Sequence, residues 1–255
     1  MRGKKQISFM LCLGMLFSMF SGQAAKAKTV IYPTVASGQR VTEDANCVID
    51  YSNCQDGYVM VKYKRSTNKT LKCQVIADNS TDRKYTYTLK AGQYQAIPLT
   101  EGNTSYKITV FENVSGNSYA TVKSASINVT LSSQFAPYLR PNQYVNYKKN
   151  TKCVKKAASL TKKSKTDLAK VKKVYRYVVK NFKYDKKLAA SVQAGYVPNL
   201  DKAYKKKKGI CFDYAALMTA MLRSQGVPTK LVVGYTGNAY HAWINVYAKK
   251  KGWIT

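Results

Sequence analysis

The chain has 255 residues, enough for two modest domains, and carries 43 Lys and Arg against 12 Asp and Glu, a formal net charge of +31. That basicity suggests nucleic acid, but no helix-turn-helix, zinc finger or aromatic RNA-stacking signature accompanies it. A single histidine and the lack of any C-x-x-C pair argue against a zinc site, and no cofactor is expected.

Residues 1–27 read as a secretory signal peptide. Arg2, Lys4 and Lys5 form a positive start, Ile7 to Phe20 is apolar, and Ala25-Lys26-Ala27 offers small residues for cleavage. The rival is an N-terminal anchor, which would need about twenty apolar residues. Cys12 lies inside the apolar run rather than at a cleavage site, which argues against a lipoprotein. The expected location is therefore secreted or at the cell surface, with no membrane span after the signal is removed. There a basic surface meets an anionic wall polymer or anionic lipid, or the lysines serve solubility alone.

Residues 28–136 are expected to form an all-β, immunoglobulin-like sandwich. Runs at 48–51, 58–63, 71–77, 85–89, 94–99, 106–111 and 120–131 are short, and most are bounded by Gly, Asn, Asp or Ser. The excess of tyrosine, 21 in all, suits strand faces first and a sugar-binding platform second. Four cysteines here and just beyond, Cys47, Cys54, Cys73 and Cys153, have no deducible connectivity, although Cys47 and Cys54 could pair across a turn. The prolines Pro137 and Pro141 end the sheet ladder, and residues 137–165 read as a linker and lysine-rich segment with weak helical character.

Residues 166–255 read as an α+β domain. Thr166-Asp167 caps a helix to about Phe182, whose apolar stripe is Leu168, Val171, Val174, Tyr175, Val178, Val179 and Phe182. From Asp185 to Gly209 the chain reads as loop, and Lys205–Lys208 either bring positive charge toward the next segment or are simply solvated. Gly209 then opens a helix with Cys211 in its first turn, running to Ser224 and stopped by Gly226 and Pro228. Two strands follow, 230–235 and 241–247, the second starting with the lone histidine, His241.

A thiol attacks carbonyls as thiolate, and a helix N-terminus or a nearby imidazolium favours that form. Cys211 and His241 are therefore the candidate catalytic residues, as nucleophile and general base. Trp243 is expected beside the histidine. Asp213 is read as support for the helix dipole, a charge that would if anything raise the thiol pKa slightly.

The segments around these residues, G-I-C-F-D-Y-A, L-R-S-Q-G-V-P-T, V-V-G-Y and H-A-W-I-N-V-Y, resemble the transglutaminase-like superfamily in its bacterial exported form. The resemblance spans about ninety residues and implies a papain-like Cys-His-Asp fold. It implies an acyl-transfer enzyme acting on peptide amide bonds, either a peptidase or amidase or a protein cross-linker. The family's Asp follows a G-x-W strand, whereas Gly252-Trp253-Ile254-Thr255 brings this sequence to its last residue. The expectation is a sequence truncated before the Asp. The alternative is a non-catalytic surface or wall-binding protein that keeps the fold.

Overall fold

The computed structural model describes residues 29–80 and 82–255. The expected signal peptide, with Cys12, lies outside the described residues.

The first half is antiparallel β. Its strands are β1 (Val41–Glu43), β2 (Cys47–Asp50), β3 (Tyr58–Tyr63), β4 (Leu71–Ala77), β5 (Lys84–Leu89), β6 (Gln95–Pro98), β7 (Thr104–Ser115) and β8 (Ser118–Val129). They form two four-stranded sheets, ordered β1-β2-β3-β6 and β5-β4-β7-β8. Strand β4 shows why: Leu71, Cys73, Val75 and Ala77 are buried while Lys72, Gln74 and Ile76 between them are not. Ile49, Val59, Val61 and Ile97 of one sheet share a core with Leu71, Val75, Ile108 and Val110 of the other.

The Cys47–Cys54 pairing that the sequence allowed does not form; Cys47, Cys54, Cys73 and Cys153 are all free, buried thiols. Cys47 and Cys54 both belong to the sandwich core, and the Cys54 sulfur also accepts a hydrogen bond from Arg40 Nη2 at 3.4 Å. Burial pushes the thiols of Cys47 and Cys153 up to about 12, and that of Cys73 up as well.

The second half contains α1 (Lys152–Thr161), α2 (Asp167–Asn181), β9 (Lys183–Tyr184), α3 (Lys186–Ser191), α4 (Leu200–Lys206), β10 (Lys208–Gly209), α5 (Cys211–Arg223), β11 (Thr229–Thr236), β12 (Ala239–Ala248) and β13 (Gly252–Ile254). Helix α5 is the hub. Its Ala216, Leu217, Ala220, Met221 and Leu222 are fully buried, in one core with Val154 and Ala157 of α1, Val174 and Val178 of α2, and Val246 of β12. The antiparallel sheet β11-β12-β13 packs on it.

Two expectations are corrected. The stretch between Asp185 and Gly209 holds two short helices, because Asp185 and Asn199 cap them by accepting from the N–H groups of Leu188 and Lys202. The apolar stripe of α2 is also only partly interior. Val174, Val178 and Phe182 are buried, while Tyr175 and Val179 remain 54% and 56% exposed.

Arg223, at the end of α5, is buried. Its guanidinium donates to the Thr229 carbonyl twice, at 2.9 and 2.8 Å, and to the Arg140 carbonyl. Burial lowers its pKa to about 10. It ties α5 to β11 and to the segment leaving the sandwich. Arg140 itself pairs with Asp56 at 2.8 Å, and next to that pair Gly57, at φ +80°, has room only for a hydrogen, since a Cβ would lie 2.6 Å from Pro137 Cδ. Among the described residues no helix is long and apolar enough to cross a membrane.

Candidate active site

The path to the thiol is held at each residue. β9 and β10 pair in parallel; Lys183 N–H donates to the Lys207 carbonyl at 2.9 Å and Asp185 N–H to the Gly209 carbonyl at 2.8 Å. A Cβ on Gly209 would fall 2.6 Å from the Asp213 Cβ, so only glycine lets the strand turn into α5 this closely. Buried Asp213 then closes the helix mouth. Its Oδ2 accepts from Ile210 N–H at 3.0 Å and its Oδ1 from the Tyr196 hydroxyl at 2.7 Å. Burial, and after it the Asp213 carboxylate, push the Tyr196 phenol upward. Cys211 is thereby fixed as the first residue of α5, half-buried, beside N–H groups that have no acceptor within the helix.

His241 lies on β12, opposite Gly234 of β11. Trp243 packs over Gly234, its Cη2 at ordinary contact distance, 3.5 Å, from where a Cβ would stand. Cys211, His241 and Trp243 line one cavity of 580 Å³, together with Val171, Tyr175 and Val179 of α2, Tyr184, and Tyr214 and Met218 of α5. The two exposed residues of α2 thus form a wall of this cavity. The structure brings Cys211 and His241 to the same opening with no hydrogen bond between them. His241 is exposed, and among the described residues neither side chain has a hydrogen-bond partner. Asn245 accepts from Thr255 Oγ1 at 3.1 Å and is committed there.

The lysines before Cys211 are arranged otherwise than a cationic approach would need. Lys207 Nζ sits 3.4 Å from the ring centroid of Tyr204 and 4.7 Å from that of Phe182, and donates to the Tyr177 hydroxyl at 2.8 Å. Lys208 pairs with Asp185 at 3.0 Å. Neither lines the cavity; the lysine that does is Lys172 of α2. Tyr196 and Lys172 were missed by sequence reasoning. The pattern Gly-x-Cys-x-Asp advertises a capped helix, but no local signal names a partner seventeen residues upstream.

The family model of the transglutaminase-like superfamily matches residues 154–255. The uncharacterized protein YebA of Bacillus subtilis (strain 168) is 28% identical over 124 residues, 39% of this chain. The chain spans only 16% of that relative's length. Among solved structures, a protein of Cytophaga hutchinsonii described as a candidate cysteine protease aligns at 15% identity and a TM-score of 0.41, over 84% of this chain and 67% of that one. The periplasmic domain of TgpA from Pseudomonas aeruginosa aligns at 15% identity and a TM-score of 0.39, over 84% and 73%. The match to the transglutaminase-like family model at residues 154–255 takes in both Cys211 and His241.

Proposed function

We propose that the protein is an exported thiol-dependent acyl-transfer enzyme acting on peptide amide bonds, with Cys211 as nucleophile and His241 as general base. The observation that carries this reading is the placement of a thiol on the first residue of α5 and the sole imidazole of the sequence around one cavity. The Cys211 thiolate attacks the amide carbonyl carbon, and the carbon–nitrogen bond breaks as imidazolium His241 gives its proton to the leaving amine. The resulting thioester is then opened by water or by a second amine, with His241 taking the incoming proton. The Cys211 N–H at the helix mouth is an oxyanion donor. The pair closes on substrate, since such contacts are often long in the free enzyme.

The test is the pH dependence of iodoacetamide labelling at Cys211, read by peptide mass spectrometry, with His241→Ala alongside. The expected result is labelling that persists well below pH 7 and moves to alkaline pH in the variant. A profile centred on the ordinary thiol value of about 8.5, indifferent to the variant, would sink the enzyme reading and leave a binding protein.

A further inference from the structure

A second concave region lies far from the thiol chemistry. Between the sandwich and the segment 141–149 there is a cavity of 660 Å³, and Lys148 and Lys149 belong both to it and to an adjoining cavity of 590 Å³ beside α1. The two form one cleft. Among the described residues no Asp or Glu lines either part, while Lys90, Lys148, Lys149 and Lys155 do. All four lysines are exposed, and none has an acidic partner among the described residues.

The lining of the larger part is rich in carboxamides, and two of them are incompletely satisfied. Gln95, on edge strand β6, accepts from Lys90 N–H at 2.8 Å through Oε1, leaving Nε2 buried without a partner. Gln143 donates through Nε2 to the Thr88 carbonyl, leaving Oε1 buried without a partner. One lining thus holds a spare amide donor and a spare amide acceptor. Such atoms are destabilising and rare in folded proteins. A ligand group with one carbonyl and one N–H answers both once the soft terminal torsions turn these occluded atoms into the cavity, in exchange for the bonds to the Lys90 N–H and the Thr88 carbonyl. Tyr94, 44% exposed, brings to the same cavity an aromatic ring with Lys62 Nζ over one face, 5.5 Å from the centroid. Carboxamides suit hydroxyl-rich ligands, an aromatic face suits a sugar ring, and unpaired lysines suit acid groups.

We propose that this cleft binds an acidic glycan bearing acylamino groups. The acylamino carbonyl accepts from Gln95 Nε2, its N–H donates to Gln143 Oε1, and the acid groups lie along Lys90, Lys148 and Lys149. The site stands independently of the proposed thiol chemistry.

The experiment is calorimetric titration of the full chain, as the Cys211→Ala protein so that no turnover intervenes. Three hexasaccharides serve as probes: alternating N-acetylglucosamine and glucuronic acid, chitohexaose, and hexagalacturonate. The first should bind about tenfold more tightly than either control, because only it offers both groups. Gln95→Glu keeps the acceptor for Lys90 N–H but removes the spare donor, and should erase the preference over hexagalacturonate. A Lys148→Gln/Lys149→Gln double variant should weaken binding about tenfold and flatten its salt dependence. Equal binding of hexagalacturonate, no saturable binding of the first probe, or wild-type selectivity in Gln95→Glu would each overturn the proposal. Melting curves of the variants confirm that they are folded. Binding is read in a protein that lacks the thiol, whereas the labelling test reads the thiol itself, so the two readings fail separately.

Discussion

Gly209 and Asp213 carry more of the site than their size suggests. A methyl group on Gly209 meets the Asp213 Cβ at 2.6 Å, so Gly209→Ala must displace the helix mouth. We expect it to lower stability by about 1–3 kcal/mol in a denaturant titration and to slow Cys211 labelling. Tyr196→Phe leaves the Ile210 cap intact but frees the loop from α5. A loss of about 1 kcal/mol is expected, and wild-type stability in this variant would show that the 2.7 Å bond to Asp213 contributes nothing. The position of Cys211 at the start of α5 and of Asp213 in its first turn was legible in the sequence, because Gly-x-Cys-x-Asp before an apolar run states its own geometry. Tyr196 was not legible, since a tyrosine in a loop has no pattern that names its partner.

At the scale of elements, the β9–β10 pair holds the approach to α5, and Asp185 secures it twice. Its carboxyl is held below the ordinary carboxylate value first by the Leu188 N–H and then by Lys208. A folded-state pKa lowered in this way stabilises above the unfolded value of about 3.9 and is lost as pH falls through the folded value. Hydrogen exchange should therefore show the amides of Leu188 and Asp185 losing protection ahead of the α5 core as pH is lowered toward 3. Asp185→Asn should remove that dependence, and unchanged ordering in the variant would argue against it.

Strands β2 to β8 were legible because alternation has a short period, whereas β1, three residues long, is too short to show it. Helices α3 and α4, at six and seven residues, offer too few apolar positions for a helical period, and their caps at Asp185 and Asn199 were the signal to read. The stripe of α2 was legible but too wide, because periodicity gives a face and not what covers it. Tyr175 and Val179 lie where that face meets the cavity.

For the whole molecule, the two halves are joined by aromatic rings. Phe135 lies 4.4 Å from Tyr247 and 6.2 Å from Trp253, and Tyr138 lies 5.2 Å from Trp253. Such pairs contribute about 0.5–1.5 kcal/mol each beyond their buried area. Phe135→Ala should split a single calorimetric transition into two, one for each hydrophobic core. A single transition at lower temperature would instead mean that Arg140 and Arg223 suffice to couple the halves. The two cores follow from hydrophobic patterning, but nothing in the sequence announces that a ring before Pro137 will meet one near residue 253. The four buried thiols have a practical consequence. A thiol reagent added to the folded chain of residues 29–255 meets one half-buried sulfur, whereas the unfolded chain offers five. The stoichiometry of alkylation is therefore a gauge of the folded fraction, and residues 29–255 carry a single-site attachment point for a probe without any cysteine having to be added or removed.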